Sequence, residues 1–146
     1  MKTLGNYIEE YAQSHQNAFN KKIHYIFVPL IFWSVLSMLW YAPKFKIGSL
    51  EIGIFHFVVA MALSFYYKLS RKSMYIMLTA IAVSLASIIA LDKILPLFWT
   101  SMAVFIFSWV MQFWGHKVEG KKPSFLQDLQ FLLIGPLWVF QNIFKF

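Results

Sequence analysis

There is no cysteine in the chain. That absence excludes a disulfide framework, a thiolate zinc site, an iron–sulfur cluster and a cysteine nucleophile, so any metal must be held by imidazole, carboxylate or amide oxygen. Charge is scarce as well, at 13% of residues against 60% hydrophobic and 20% aromatic, with a mean hydropathy of +0.61. Such a ratio rules out an ordinary soluble domain and is that of an integral membrane protein. The formal charge of +7 does not point to nucleic acid. The basic residues sit in short groups between apolar runs, where they act as topology signals and contacts for lipid phosphate. Also missing is the apolar h-region of a signal peptide: MKTLGNYIEEYAQSHQNAF has one early lysine and carries Glu9 and Glu10. With no internal repeat and no low-complexity linker, a single membrane-embedded domain over 1–146 is expected.

What is present is a series of apolar runs near the roughly 20 residues that a helix needs to cross a bilayer. They cover 23–42, 50–67, 74–91 and 94–114. A fifth stretch, 129–146, contains Gly135-Pro136 and Gln141-Asn142. The Gly-Pro pair is expected to break a helix near its middle, so this segment reads as interfacial or re-entrant, with a full fifth span as the alternative. The fold class is therefore an all-α integral membrane protein of about four transmembrane helices, preceded by an N-terminal interfacial helix. Lys2, Lys21, Lys22, Lys68, Arg71, Lys72, Lys117, Lys121 and Lys122 flank one side of the spans, against Lys44, Lys46 and Lys93 on the other. That asymmetry orients the N-terminus to the cytoplasm. His15, His24 and His116 then fall at the cytoplasmic face. His56 lies about six residues in from the far end of the second span, about 15 Å from the cytoplasmic end.

The stretch HQNAFNKKIH gathers two histidines and two asparagines at the edge of an apolar chain. On one unbroken helix, nine residues at about 100° each would leave His15 and His24 on opposite faces and roughly 13 Å apart. Asparagine is a poor interior helix residue and a good N-cap, so Asn20 is expected to start the first span while His15 ends a short preceding helix, and a bend there joins the two rings. In QFWGHKVEGKKP, Glu119 follows His116 by three positions and faces the same way on a helical turn. Three imidazoles and a carboxylate without soft sulfur suit iron, zinc or manganese. The same residues also serve as interfacial anchors in other membrane proteins, and Asn17 and Asn20 can act as turn and cap residues only. A lone histidine within a span, such as His56, can simply bond a neighbouring helix.

YAQSHQNAFNKKIHYIFVPLIFWS resembles the N-terminal signature of the membrane 2-hydroxy fatty acid dioxygenases, the family of the fungal phytosphingosine-breakdown oxygenase. QFWGHKVEGKKPSFLQDLQFLLIGPLWV resembles the second signature, in which a glycine and histidine precede a glutamate, basic residues, a proline and an amphipathic helix. Glu119 stands one residue closer to its histidine than in the fungal pattern. The resemblance implies iron ligation by His15, His24 and His116, and marks Tyr11, Asn17, Asn20, Gln112, Gly115 and Glu119 as motif positions. Asn20 and Glu119 are the candidate catalytic residues among them. It further implies Fe(II) as cofactor, dioxygen and a 2-hydroxy fatty acid as substrates, the lipid bilayer as partner, and removal of one carbon as the reaction. The host membrane would be a bacterial inner membrane or the endoplasmic reticulum. The other readings are a non-catalytic scaffold or small transporter with structural histidines, a bis-histidine haem protein, and a zinc hydrolase.

Overall fold

The structure, a computed structural model, describes residues 1–122 and 131–145. Among these residues, six helices and one short hairpin follow in the order α1 (Leu4–Gln13), α2 (Ala18–Trp40), β1 (Lys44–Ile47), β2 (Leu50–Gly53), α3 (Ile54–Leu69), α4 (Arg71–Leu91), α5 (Leu97–Glu119) and α6 (Phe131–Phe144). By length and composition α2, α4 and α5 can each cross a membrane. At 16 residues, α3 rises only about 24 Å and is shorter than a typical hydrocarbon core.

One compact unit comprises Met1–Phe32 and Val104–Phe146. Its first helix starts at a capping box: the Thr3 hydroxyl accepts from the Asn6 N–H at 3.3 Å and the Asn6 side chain accepts from the Thr3 N–H at 3.2 Å. Tyr7 and Tyr11, four apart on one face, are buried. The helix stops at Ser14, and α2 starts afresh at Ala18. Its cap is Asn17 rather than Asn20, because the Asn17 side-chain oxygen accepts from the N–H groups of Phe19 at 2.9 Å and Asn20 at 3.3 Å. Asn20 thus lies one turn in, fully buried. Further along, α2 meets α5 through the Phe27 and Phe107 rings, 5.7 Å apart.

The expected break at Gly135-Pro136 does not occur, and α6 is continuous through both residues. Pro136 removes one intrahelical bond, to the Leu132 carbonyl, but the residues around it from Ile134 to Val139 are buried, and this packing offsets the loss. Gly135 sits under Tyr11, where a Cβ would come within 2.9 Å of the phenol oxygen. The 14 described residues of α6 rise about 21 Å, less than a typical hydrocarbon core. The amphipathic helix expected after Pro123 lies outside the described residues.

The other unit is Trp33–Ala103. Here the span expected over 50–67 is corrected: its first four residues pair antiparallel with Lys44–Ile47, with Phe45 opposite Ile52 and Ile47 opposite Leu50. A two-residue turn closes the hairpin, and its first residue, Gly48, has φ 63°. Consequently His56 is not deep in a span. It is exposed in the first turn of α3, where its Nδ1 accepts from the Gly53 N–H at 3.2 Å. Ser70 caps α4, accepting from the Ser73 N–H at 2.9 Å, and α3 packs against α4. Polar ties between helices in this unit include Trp33 Nε1 to Ser87 Oγ at 2.8 Å and Ser101 Oγ to Ser37 Oγ at 2.6 Å.

Candidate metal centre

The break between α1 and α2 folds His15 back onto His24. Both are 1% exposed, and His116, from the last turn of α5, is 5% exposed. The Nδ1 of His15 lies 2.6 Å from the Tyr11 carbonyl oxygen, and the Nδ1 of His24 lies 2.9 Å from that of Asn20. A carbonyl can only accept, so both Nδ1 atoms carry the proton and both Nε2 atoms are left with lone pairs. Those two Nε2 atoms face each other at 2.8 Å. Two lone pairs at that separation repel unless a positive charge sits beside them. The His116 ring stands 5.0 Å from His15 and 4.9 Å from His24, centroid to centroid. Its Nδ1 is buried with no hydrogen-bond partner among the described residues.

One nitrogen from each of the three rings falls within 4.8 Å of the others. For metal–nitrogen bonds of about 2.1 Å, two ligands at right angles on one ion stand about 3.0 Å apart. The 2.8 Å pair fits that arrangement. The carbonyl partners of His15 and His24 are the outer contacts that usually orient metal-binding imidazoles. A bis-histidine haem does not fit: rings on opposite faces of an iron porphyrin hold their nitrogens about 4 Å apart with the macrocycle between them.

Burial pushes the His15 imidazole down to about 4 from its ordinary 6.5, against the raising effect of the Tyr11 carbonyl. The ring is neutral near pH 7 and its lone pair is free to bind. Because the folded value is depressed, this contribution to stability is complete above about 6.5 and is lost as pH falls toward about 4. Chelator-treated protein in detergent should therefore melt at progressively lower temperature across that window. The His15→Gln variant should show a shallower decline, and an unchanged slope would refute the assignment.

Glu119 lies on the same turn as His116, as expected, but its carboxylate is engaged elsewhere. One oxygen accepts the Gln16 N–H at 2.9 Å; the other accepts the Asn17 N–H at 2.7 Å and the Asn20 amide at 3.2 Å. It places a negative charge at the N-terminus of α2, where the unpaired N–H groups converge. The Asn20 amide also donates to the Ser14 carbonyl at 3.3 Å, and Lys121 Nζ donates to the Gln13 carbonyl at 2.7 Å. The bend that unites His15 with His24 is thus fastened by the end of α5. Gly120, with φ 77°, closes that helix by donating to the His116 carbonyl at 3.0 Å.

Gly115 makes the close approach possible. A Cβ there would stand 2.5 Å from Asn20 Oδ1, inside contact distance. Gly115→Ala should push the Asn20 amide off Glu119 and Ser14 and lower stability by about 1–3 kcal/mol. Chemical denaturation in detergent micelles measures this, and a variant as stable as the parent would sink the argument.

One wall of the centre is aromatic. The Tyr11 ring stacks on His15 at 4.2 Å and 11°, and Trp138 of α6 stands 5.3 Å from both. Burial pushes the Tyr11 phenol above its ordinary range, so it stays neutral. Neither Trp138 nor the backbone amides of Gln16 and Asn17 was singled out from sequence. The four-residue offset between Tyr11 and His15 was the available clue to the stacked pair. Of the residues singled out, His15, His24, His116, Asn20, Glu119, Asn17, Gly115 and Tyr11 come together, and His56 belongs to the other unit.

An apolar helical protein with a buried three-imidazole centre is the class so defined. The chain belongs to the family described as 2-hydroxy-palmitic acid dioxygenase Mpo1-like, whose sequence model matches residues 1–145. It is 30% identical over 142 residues to the 2-hydroxy-palmitic acid dioxygenase MPO1 of Saccharomyces cerevisiae, covering 92% of this chain and 76% of that protein. No solved structure matches the chain.

Proposed function

We propose that the chain is an Fe(II)-dependent dioxygenase that shortens 2-hydroxy fatty acids by one carbon within a membrane. The observation that carries the reading is the pair of buried Nε2 lone pairs at 2.8 Å, joined by a third buried imidazole, in a chain whose yeast relative is named for 2-hydroxy-palmitic acid. Three neutral nitrogens without sulfur suit iron(II), and the 2.8 Å spacing of the His15–His24 pair is nearer the right-angle spacing of a six-coordinate ion than the wider spacing of tetrahedral zinc. Bound there, iron would supply two-point binding of the α-hydroxy carboxylate and activation of dioxygen. One 2-hydroxy acid and one dioxygen balance as the acid one carbon shorter, carbon dioxide and water, with no outside reductant.

The protein's own residues set the geometry. The Tyr11 and Asn20 carbonyls fix the two imidazole tautomers, while the Tyr11 and Trp138 rings exclude water from one side of the centre. Asn20 and Glu119 act by holding the bend, and thereby the ligands, in register. We assign α2, α4 and α5 as spans and α3 as a shorter fourth crossing of one domain, because Lys68, Arg71 and Lys72 at its end belong to the basic side and Lys44 and Lys46 before it to the other, with α1 interfacial, α6 interfacial or re-entrant, and the N-terminus cytoplasmic. The metal then lies at head-group depth and the acyl tail stays among lipids.

Metal analysis of purified protein, paired with an assay of 2-hydroxypalmitate for the product one carbon shorter, tests the reading. Near one iron per chain and iron-dependent product are expected. Normally folded protein without metal or turnover would overturn it and favour a scaffold, and turnover supported by zinc but not iron would reassign the centre.

A further inference from the structure

On α5, Ser108, Gln112 and His116 follow at intervals of four residues and therefore share one face of the helix. All three are buried, Gln112 at 2% exposure. Hydroxyls elsewhere on the helices satisfy themselves locally: Ser64, Thr79 and Thr100 donate to the carbonyls of Ala60, Tyr75 and Pro96 at 2.8, 2.9 and 3.1 Å. This face is different. Among the described residues, Ser108 Oγ and Gln112 Nε2 have no hydrogen-bond partner. A buried amide nitrogen with nothing to donate to is costly to maintain and marks a place where a ligand completes the bonding.

The chemistry of the missing partner follows from the atom. An amide nitrogen only donates, so its partner is an oxygen acceptor. Gln112 is one turn from His116, about 6 Å along the axis, and helical side chains lean toward the N-terminus, which tilts the His116 ring toward Gln112. An oxygen-rich head group at the three-imidazole centre would bring its acceptors alongside that nitrogen.

We propose that Gln112 is a substrate-binding residue whose side-chain N–H donates to a carboxylate oxygen of the 2-hydroxy acid. This rests on the function proposed above and adds a recognition element for the acid group. A donor fixed in a water-poor site discriminates between a carboxylate and an uncharged hydroxymethyl group on the same chain. Gln112→Leu keeps the volume and removes the donor, and Gln112→Glu replaces it with an acceptor that repels the carboxylate.

The test uses full-length protein in detergent. Gln112→Leu should retain iron content and melting temperature, raise the KM for 2-hydroxypalmitate roughly 10–100-fold and change kcat less. In zinc-substituted protein, binding of 2-hydroxypalmitate should weaken by the same factor in that variant, whereas binding of 1,2-hexadecanediol should be unchanged. Gln112→Glu should bind the acid more weakly still. Wild-type KM and acid-over-diol preference in Gln112→Leu would overturn the proposal, as would loss of iron, which would make Gln112 a support of the metal. Failure of the wild-type protein to hold iron or to turn over any 2-hydroxy acid would instead overturn the function on which it rests.

Discussion

His24→Ala protein is expected to bind iron on the order of 100-fold or more weakly than the wild type, and to lose turnover with it. Losing even an outer partner of a metal ligand typically costs 10–100-fold in affinity, and here a proposed ligand itself is removed. The effect is large because His24 contributes one of the two nitrogens that already face each other at 2.8 Å. Without it, only His15 Nε2 and one ring nitrogen of His116 would remain to hold an ion. The deletion also empties a fully buried position, so folding must be separated from binding. Thermal melts with and without added iron do this: wild-type protein should gain several degrees from iron and His24→Ala essentially none. His56→Ala, at the exposed start of α3, should keep both iron and the shift. Equal iron-induced stabilisation of wild-type and His24→Ala protein would refute the centre.

Glu119→Ala is the second large effect. It strips the acceptor from two backbone N–H groups and the Asn20 amide at once, and it removes a negative charge from the start of α2. Hydrogen bonds to a charged group contribute about 1.5–3 kcal/mol each when buried; with Gln16 and Asn17 exposed, a total of about 2–4 kcal/mol is expected. The bend should loosen and iron affinity should fall by about 10–100-fold, the range for outer contacts. Glu119→Gln keeps one acceptor oxygen and should be intermediate in both measurements. If Glu119→Ala matched the wild type in denaturant midpoint and in iron affinity, the positioning role would be wrong.

The bend between α1 and α2 was legible from HQNAFNKKIH because two asparagines interrupt a helical pattern where two histidines would otherwise diverge. Assigning the start of α2 to Asn20 placed it too late, since either asparagine satisfies a cap by composition and only the bonds from Phe19 and Asn20 to Asn17 distinguish them. The part played by Glu119 was not legible: its partners are about a hundred positions away and two are backbone groups without a sequence signature. The hairpin left a faint trace, the alternation of Lys44, Phe45, Lys46 and Ile47, which was hidden by the apolar run that follows it. Gly135-Pro136 misled in the other direction, because a local breaker rule carries no information about tertiary burial.

Two imidazoles come from the start of the chain, and the third, His116, sits near the end of α5. While the nascent polypeptide emerges from the ribosome, therefore, the first pair waits through α3, α4 and most of α5 without its mate. An ion held by all three imidazoles could load only once α5 has been made, and it would then act as a clasp between distant parts of the polypeptide.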